Sequence, residues 1–210
     1  MSINLYSNLL ASGTSPRLTV WGSYAGGPRL DLSGKVLANH CAKIANFLAE
    51  ELLLDEGDEI RVDLPGHWRL LTWHIGALLA GVRVTDTQDP VALVTAVPGE
   101  PSTAAEEIVG LSLGALDMSV AGLPDGAHDG IADVAASPDD LIDRSRALPM
   151  APFGLDLPAG GKLLLAGPDE ERLVRMGMEV LAARRALVVV PAESASRALE
   201  VESAVLLPGH

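Results

Sequence analysis

At 210 residues, the chain is long enough for one substantial hydrophobic core or two small fused ones. Hydrophobic residues at 48% and charged residues at 20% exclude a disordered polypeptide, and 3% aromatics leave the core to Leu, Val, Ile and Ala. Fifteen basic against 28 acidic side chains give a net charge of −13. That field repels phosphate backbones and anionic lipid, so neither nucleic acid nor a membrane surface is an expected partner.

Cys41 is the single cysteine, which excludes an intrachain disulfide and a cysteine-based zinc site. Residues 1–6 lack the basic start and long apolar stretch of a secretion signal. Apolar runs such as 186–190 are too short to span a bilayer. The expected location is the cytoplasm.

In chain order, a short helix is expected over 5–11, ending in the turn Ser12-Gly13-Thr14-Ser15-Pro16. Leu18-Thr19-Val20-Trp21 and Arg29-Leu30-Asp31-Leu32 flank Ala25-Gly26-Gly27 and read as a β-hairpin. Ser33 reads as the N-cap of a helix. Behind it Val36, Leu37, Ile44, Phe47, Leu48 and Leu52 recur at three- and four-residue steps. Gly57-Asp58 breaks the chain, and residues 59–64 alternate as a strand.

Pro65-Gly66 leads into a second helix over 67–80, ended by Gly81, and 82–85 is the next strand. Residues 91–97 and 108–113 read as further strands, and 121–130 as loop. Ser137-Pro138-Asp139-Asp140 has the composition of a helix start, with the helix itself expected over 141–150. Residues 162–166 form a strand, 169–184 a helix, and 186–190 a strand stopped by Pro191. This alternation predicts parallel pairing and an α/β fold.

Shifting the chain by 104 residues places Ser33 on Ser137, Leu37 on Leu141, Gly57 on Gly161 and Val84 on Val188. Spacing agrees while few identities do, which predicts a structural duplication. The expected organisation is a first module with its N-terminal helix and hairpin over 1–100. An irregular connector follows over 101–136 and a second module over 137–210, together one compact unit.

The run from Leu30 to Asp86 resembles the amino-terminal region of the adenylate-forming superfamily, which includes acyl-CoA synthetases. Glu56-Gly57-Asp58-Glu59-Ile60-Arg61-Val62-Asp63-Leu64-Pro65 stands where family members have "GDRVALLLPN". Leu78-Leu79-Ala80-Gly81-Val82 stands where they have "LKAGAVVVPL". Residues 141–191 resemble the family's second module more loosely, through Gly161-Lys162 and Arg184-Arg185-Ala186. The resemblance implies two similar parallel-sheet modules packed with helices, and it would imply an AMP-forming ligase.

The family's phosphate loop, of the form "TSGTTGxPKG", lies between the modules. Its glycines free backbone N–H groups to close on phosphate, and its lysine adds positive charge. At that location residues 131–139 contain no Gly, Lys or Thr, and Asp133, Asp139 and Asp140 would repel phosphate. Ser12-Gly13-Thr14-Ser15-Pro16 resembles part of the loop but precedes the first module and reads as an ordinary turn. Because the sequence stops at His210, the family's later metal and ribose contacts and its lysine-bearing small domain are also expected to be missing. No catalytic, cofactor-binding or metal residue is carried over from the family, and no cofactor is expected.

Other motifs were weighed against plain structural roles. Gly110-Leu111-Ser112-Leu113-Gly114 fits the nucleophile elbow of a serine hydrolase, with Asp117 and His128 as nearby partners. The expected helix behind it is cut short by Leu123-Pro124-Asp125-Gly126. His67 and His74 lie two helical turns apart, about 10 Å, too far for one metal ion. Asp86, Asp89, Asp139, Asp140 and Asp143 fit capping positions. Arg172, Arg175, Arg184 and Arg185 decorate a helix, the last two beside a strand where they could hold one anion.

Three functional readings follow. The first is a non-catalytic remnant of an acyl-CoA synthetase-like enzyme, acting as a binding or assembly module. The second is part of a split adenylate-forming ligase completed by a partner chain. The third is a hydrolase using Ser112. A homo-oligomer or a protein partner is compatible with the first two, and the small-molecule ligand is left open.

Overall fold

A computed structural model of the chain describes residues 5–97, 104–115, 117–148, 150 and 153–208. Three expectations fall outside these residues: the reading of positions 1–4, the module boundary at 100, and position 149 of the predicted 141–150 helix. The elements in order are α1 (Leu5–Ala11), β1 (Pro16–Trp21), β2 (Arg29–Ser33), α2 (Gly34–Asn46), β3 (Glu59–Asp63), α3 (Trp68–Ala80), β4 (Arg83–Val84) and β5 (Ala92–Ala96). There follow β6 (Glu107–Leu111), β7 (His128–Asp129), α4 (Ala132–Ala136), β8 (Lys162–Ala166), α5 (Glu170–Ala182), β9 (Ala186–Val190), α6 (Ala195–Glu202) and β10 (Val205–Leu206).

The hairpin forms as predicted, with β1 and β2 antiparallel through Val20↔Leu30 and Trp21↔Arg29. A 3₁₀ turn over Gly22–Ala25 joins them, closed by Gly26 in the left-handed region at φ 64°. That conformation costs glycine no Cβ clash. Ser33 caps α2 as read from the sequence, its hydroxyl accepting the Val36 N–H at 3.2 Å.

The chain divides into two compact units, each discontinuous in sequence. Unit 1 comprises Met1–Ala38, Gly66–Leu71 and Pro149–His210, and unit 2 comprises Asn39–Pro65 and Thr72–Leu148. This replaces the expected succession of one module after another. The cause is β1, which pairs parallel with β9 through Thr19↔Val188 and so enlists the amino-terminal hairpin in the later sheet.

Unit 1 holds a five-stranded sheet in the order β10-β8-β9-β1-β2, parallel apart from the hairpin. On it, α6 packs Ala198 against Leu164, Val188 and Val190, with Trp21 and Leu199 at the margin. Glu202, at the end of α6, is 4% exposed and takes two cations, Arg29 at 3.1 Å and Lys162 at 3.2 Å. One carboxylate thereby ties the helix to strands on opposite sides of the sheet.

Unit 2 holds the second five-stranded sheet, in the order β4-β3-β5-β6-β7, with every pairing parallel. Ile60, Leu93, Val94 and Val109 from its strands are fully buried. Phe47 meets Trp73 edge to face with ring centroids 6.3 Å apart. Cys41 is fully buried here, and burial pushes its thiol well above the ordinary range, leaving an inert core residue.

The duplication is present over half its expected length. Segment β3-α3-β4 and segment β8-α5-β9 are both β-α-β units with parallel outer strands, and their elements coincide at the predicted offset to within two residues. The helix-bearing start of the repeat is absent, because 141–148 is irregular where α2 would require a helix. Here Asp143 captures the Ser145 N–H and hydroxyl, and Asn46 captures the Ile142 N–H. Such side-chain bonds to backbone compete with helix formation. The segment 131–139, where the resemblance puts the phosphate loop, contains α4, and β7 interrupts the predicted 121–130 loop.

Candidate functional site

In unit 1 the order of parallel strands reverses at β8. From β8 the chain passes through α5 to β9 on one side, then returns through α6 to β10 on the other. In parallel α/β sheets, ligands settle beyond the carboxyl ends of strands at such a reversal. A recess of about 400 Å³ lies there. It is lined by Leu155 and Asp156 before β8, by Asp169, Glu171, Arg172, Arg175 and Met176 at the start of α5, and by Pro208 after β10. The volume falls within the range of small-molecule pockets.

The chemistry of this recess is mixed. Asp169 is spent as the N-cap of α5, accepting the Arg172 N–H at 2.8 Å. Arg172 also donates a guanidinium N–H to the Pro208 carbonyl at 2.9 Å, which pins the segment after β10 to α5. Arg175 is solvent-exposed one turn on, Asp156 and Glu171 add carboxylates to the same lining, and Leu155, Met176 and Pro208 add apolar surface. In the sequence Arg172 and Arg175 merely decorate a helix, because only the β8–β10 pairing brings Pro208 to Arg172.

A second recess of about 400 Å³ lies in unit 2, lined by Asn46, Phe47, Glu50, Glu51, His128, Asp133, Ala136, Ser137, Pro138 and Ile142. Three carboxylates and no lysine or arginine line it, which makes it hostile to a phosphate. Beside it the segment 135–148 is fastened down. The Lys43 ammonium donates to the carbonyls of Ala135 and Ser137 and pairs with Asp139 at 3.0 Å. Asn46, 4% exposed, donates to the Pro138 carbonyl at 3.1 Å and the Asp140 carbonyl at 2.9 Å, and accepts the Ile142 N–H at 3.1 Å. Arg146 reaches the Ala80 carbonyl at 3.0 Å and also the Leu54 carbonyl.

The other sequence candidates take structural positions. Ser112 follows β6, but its hydroxyl donates to Asp117 and, among the described residues, no helix begins before α4. His128 pairs with Glu107 at 2.8 Å and stands edge-on to Phe47, so it does not serve as a base for Ser112. His67 is buried, its Nδ1 accepting the Arg69 N–H at 3.2 Å. Among the described residues no group of three or more His, Cys, Asp or Glu side chains is placed to hold a metal ion. Arg184 donates to Asn8 at 2.9 Å and Arg185 to the Pro158 carbonyl at 3.1 Å, so both serve packing. The turn at Ser12–Pro16 caps α1, with the Ser12 N–H bonded to the Leu9 carbonyl at 3.0 Å.

Asp129 is a residue that sequence reading passed over as loop. Its carboxylate accepts the N–H groups of Val120 at 2.8 Å, Ile131 at 2.9 Å and Ala132 at 2.9 Å, fixing the start of α4. Burial alone raises its pKa, but the N–H groups of Ala132, Val120 and Ile131 outweigh burial and hold it below the usual carboxylate range. A depressed folded value means the stabilisation is complete above the unfolded pKa, near 4, and fades as pH falls through the folded one. Asp129→Asn is therefore expected to cost about 1–2 kcal/mol at neutral pH. The difference from wild type should shrink in urea melts at acid pH; a constant gap down to pH 2 contradicts the assignment.

The fold is that of the amino-terminal region of adenylate-forming ligases: two parallel-dominated five-stranded sheets packed with helices. An acyl-CoA synthetase of Brucella canis superposes with a TM-score of 0.70 at 15% identity, over 98% of this chain and 47% of that one. Coronafacic acid ligase from Pectobacterium brasiliense gives 0.62 at 11% identity, over 95% and 47%. The amide bond synthetase McbA from Marinactinospora thermotolerans gives 0.60 at 15%, over 95% and 46%. At these identities the likeness is one of fold alone, and the chain spans about half the length of each.

By sequence, the chain is 31% identical over 146 residues to a TIGR03089 family protein of Mycobacterium tuberculosis (strain ATCC 25618 / H37Rv), covering 64% of this chain and 58% of that protein. The match thus spans somewhat over half of the relative. No family model matches the chain. Among the described residues no helix is long and apolar enough to cross a membrane.

Proposed function

We propose that this chain is a non-catalytic relative of the adenylate-forming ligases that acts as a binding module, using the recess beyond β8 and β10. The observation that carries this reading is the commitment of segment 135–148. In chain order it overlaps residues 131–139, where the resemblance puts the phosphate loop. Its carbonyls at Ala135, Ser137, Pro138 and Asp140 accept from Lys43 and Asn46, its Arg146 is anchored to the Ala80 carbonyl, and Lys43 is already paired with Asp139. A phosphate cradle needs free backbone N–H groups and an unspent cation. This segment offers aspartates instead.

The recess of unit 1 supports binding without adenylation. Its apolar wall of Leu155, Met176 and Pro208 and its charges of both signs suit a small amphipathic molecule. They do not suit a triphosphate, which would meet three carboxylates against two guanidiniums. A cytoplasmic location fits this role.

A second reading, one part of a split ligase, is favoured by the 98% coverage of this chain in the acyl-CoA synthetase superposition. Pyrophosphate release with ATP, magnesium and a panel of carboxylic acids separates the two. The expected result is no release by the pure chain, with melting shifts produced by amphipathic small molecules but not by ATP. Turnover by the pure chain, or magnesium-dependent ATP binding, would overturn the binding-module reading. Turnover only with a co-purifying protein would establish the second.

A further inference from the structure

We propose that the ligand of the unit 1 recess is a zwitterion with an apolar body, the chemistry of a free apolar amino acid. Arg175 takes its carboxylate, and Glu171 with Asp156 takes its ammonium. This rests on the reading of unit 1 as a binding module and names what that module binds.

Glu171 and Arg175 stand four residues apart on α5, which sets their Cβ atoms about 5–6 Å from one another on one face of the helix. Glutamate four residues ahead of a cationic side chain is the favourable order for an ion pair within a helix. None closes here. Among the described residues neither side chain has an ion-pair or hydrogen-bond partner, and both are exposed. Asp156, before β8, is exposed and unpartnered in the same way. The two remaining charged groups of the lining are occupied, Asp169 with the cap of α5 and Arg172 with the Pro208 carbonyl. What the recess offers a ligand is therefore one open guanidinium and two open carboxylates.

Those charges select the class. A purely cationic amphiphile would set its charge beside Arg175. A purely anionic one would meet two open carboxylates on a chain of net charge −13. A zwitterion satisfies both signs, each through charge-assisted hydrogen bonds. In an α-amino acid the two heads share one carbon, close enough together to meet side chains one helical turn apart. Its side chain is then left for the wall of Leu155, Met176 and Pro208. With the carboxylate held by Arg175, such a molecule is bound as a ligand and not presented for activation.

Isothermal titration calorimetry on the full chain with L-leucine, leucinamide and N-acetylleucine tests this. Leucine is expected to bind at least about tenfold more tightly than leucinamide, which lacks the anion, or N-acetylleucine, which lacks the cation. Glycine, with both heads and no apolar body, should bind more weakly than leucine. Arg175→Gln should weaken leucine about tenfold and leave leucinamide unchanged. Glu171→Gln should weaken leucine and leucinamide and leave N-acetylleucine unchanged. Both side chains are exposed, so the circular dichroism should not change. A one-headed analogue that binds as tightly as leucine overturns the proposal and leaves the binding module standing. So does the loss of that crossed pattern, or a chain that binds other amphipathic molecules and not leucine. Pyrophosphate release by the pure chain would instead overturn the reading beneath it.

Discussion

Gly76→Val is expected to lower the stability of unit 2 by about 3 kcal/mol, near the upper end of what overpacking a core costs. A Cβ at Gly76 would lie 2.4 Å from Ile44 Cγ2 and 2.7 Å from Ile44 Cβ, and 3.4 Å from the Cys41 carbonyl. Ile44 is fully buried, and a β-branched side chain held in a helix has little rotamer freedom with which to give way. Even Gly76→Ala should destabilise, although alanine by itself gains about 1 kcal/mol over glycine within a helix. Pairing it with Ile44→Ala in a double-mutant cycle isolates the clash, and the expected signature is a favourable coupling. Urea titrations followed by Trp73 fluorescence, with no loss on Gly76→Ala, would show that α2 and α3 have room to part.

The second large effect is expected at Asn46. Asn46→Leu keeps the volume but leaves the Pro138 and Asp140 carbonyls and the Ile142 N–H without the side chain that binds them. The buried Asn46 side chain makes three such bonds, each contributing about 1 kcal/mol net, so a loss of about 2–3 kcal/mol is expected. The same substitution should free segment 135–148, seen as early tryptic cleavage at Arg144 or Arg146. Unchanged cleavage would mean that Lys43 and Arg146 hold the segment without Asn46.

The sequence made the regular parts of both sheets legible. Alternation located β3, short apolar runs located β8 and β9, and the hairpin followed from Ala25-Gly26-Gly27 between two strand runs. Ser33 was readable as a cap because its role is local. What escaped reading depends on distant partners. The stretch 141–148 has helical spacing, yet Asp143 and Asn46 draw its backbone into bonds that a helix would need. Both α6 and β10 follow Pro191, which reads as a stop, and they take shape because Ala198 packs on Leu164, Val188 and Val190.

The candidate recess was the least legible feature. Arg172, Arg175 and Met176 sit at ordinary helix-surface spacing, and Pro208 is some distance away in sequence. No motif joins them; only the return of the chain past β8 does. Conversely, the glycine-flanked Ser112 looked like chemistry on paper. Its hydroxyl goes to Asp117, and among the described residues directly behind it there is no helix to aim a nucleophile.

Leu18 of the amino-terminal hairpin takes Leu187 as its strand partner. During synthesis, then, the first forty residues emerge with nothing to rest on, while nearly all of the segment between Asn39 and Leu148 can already condense around its own sheet. The hairpin is thus made well before the strand that seats it. Ribosome-bound nascent chains should therefore shield the hairpin only after β9 has cleared the exit tunnel, and until then its apolar Leu18 and Val20 are surfaces for a chaperone to guard.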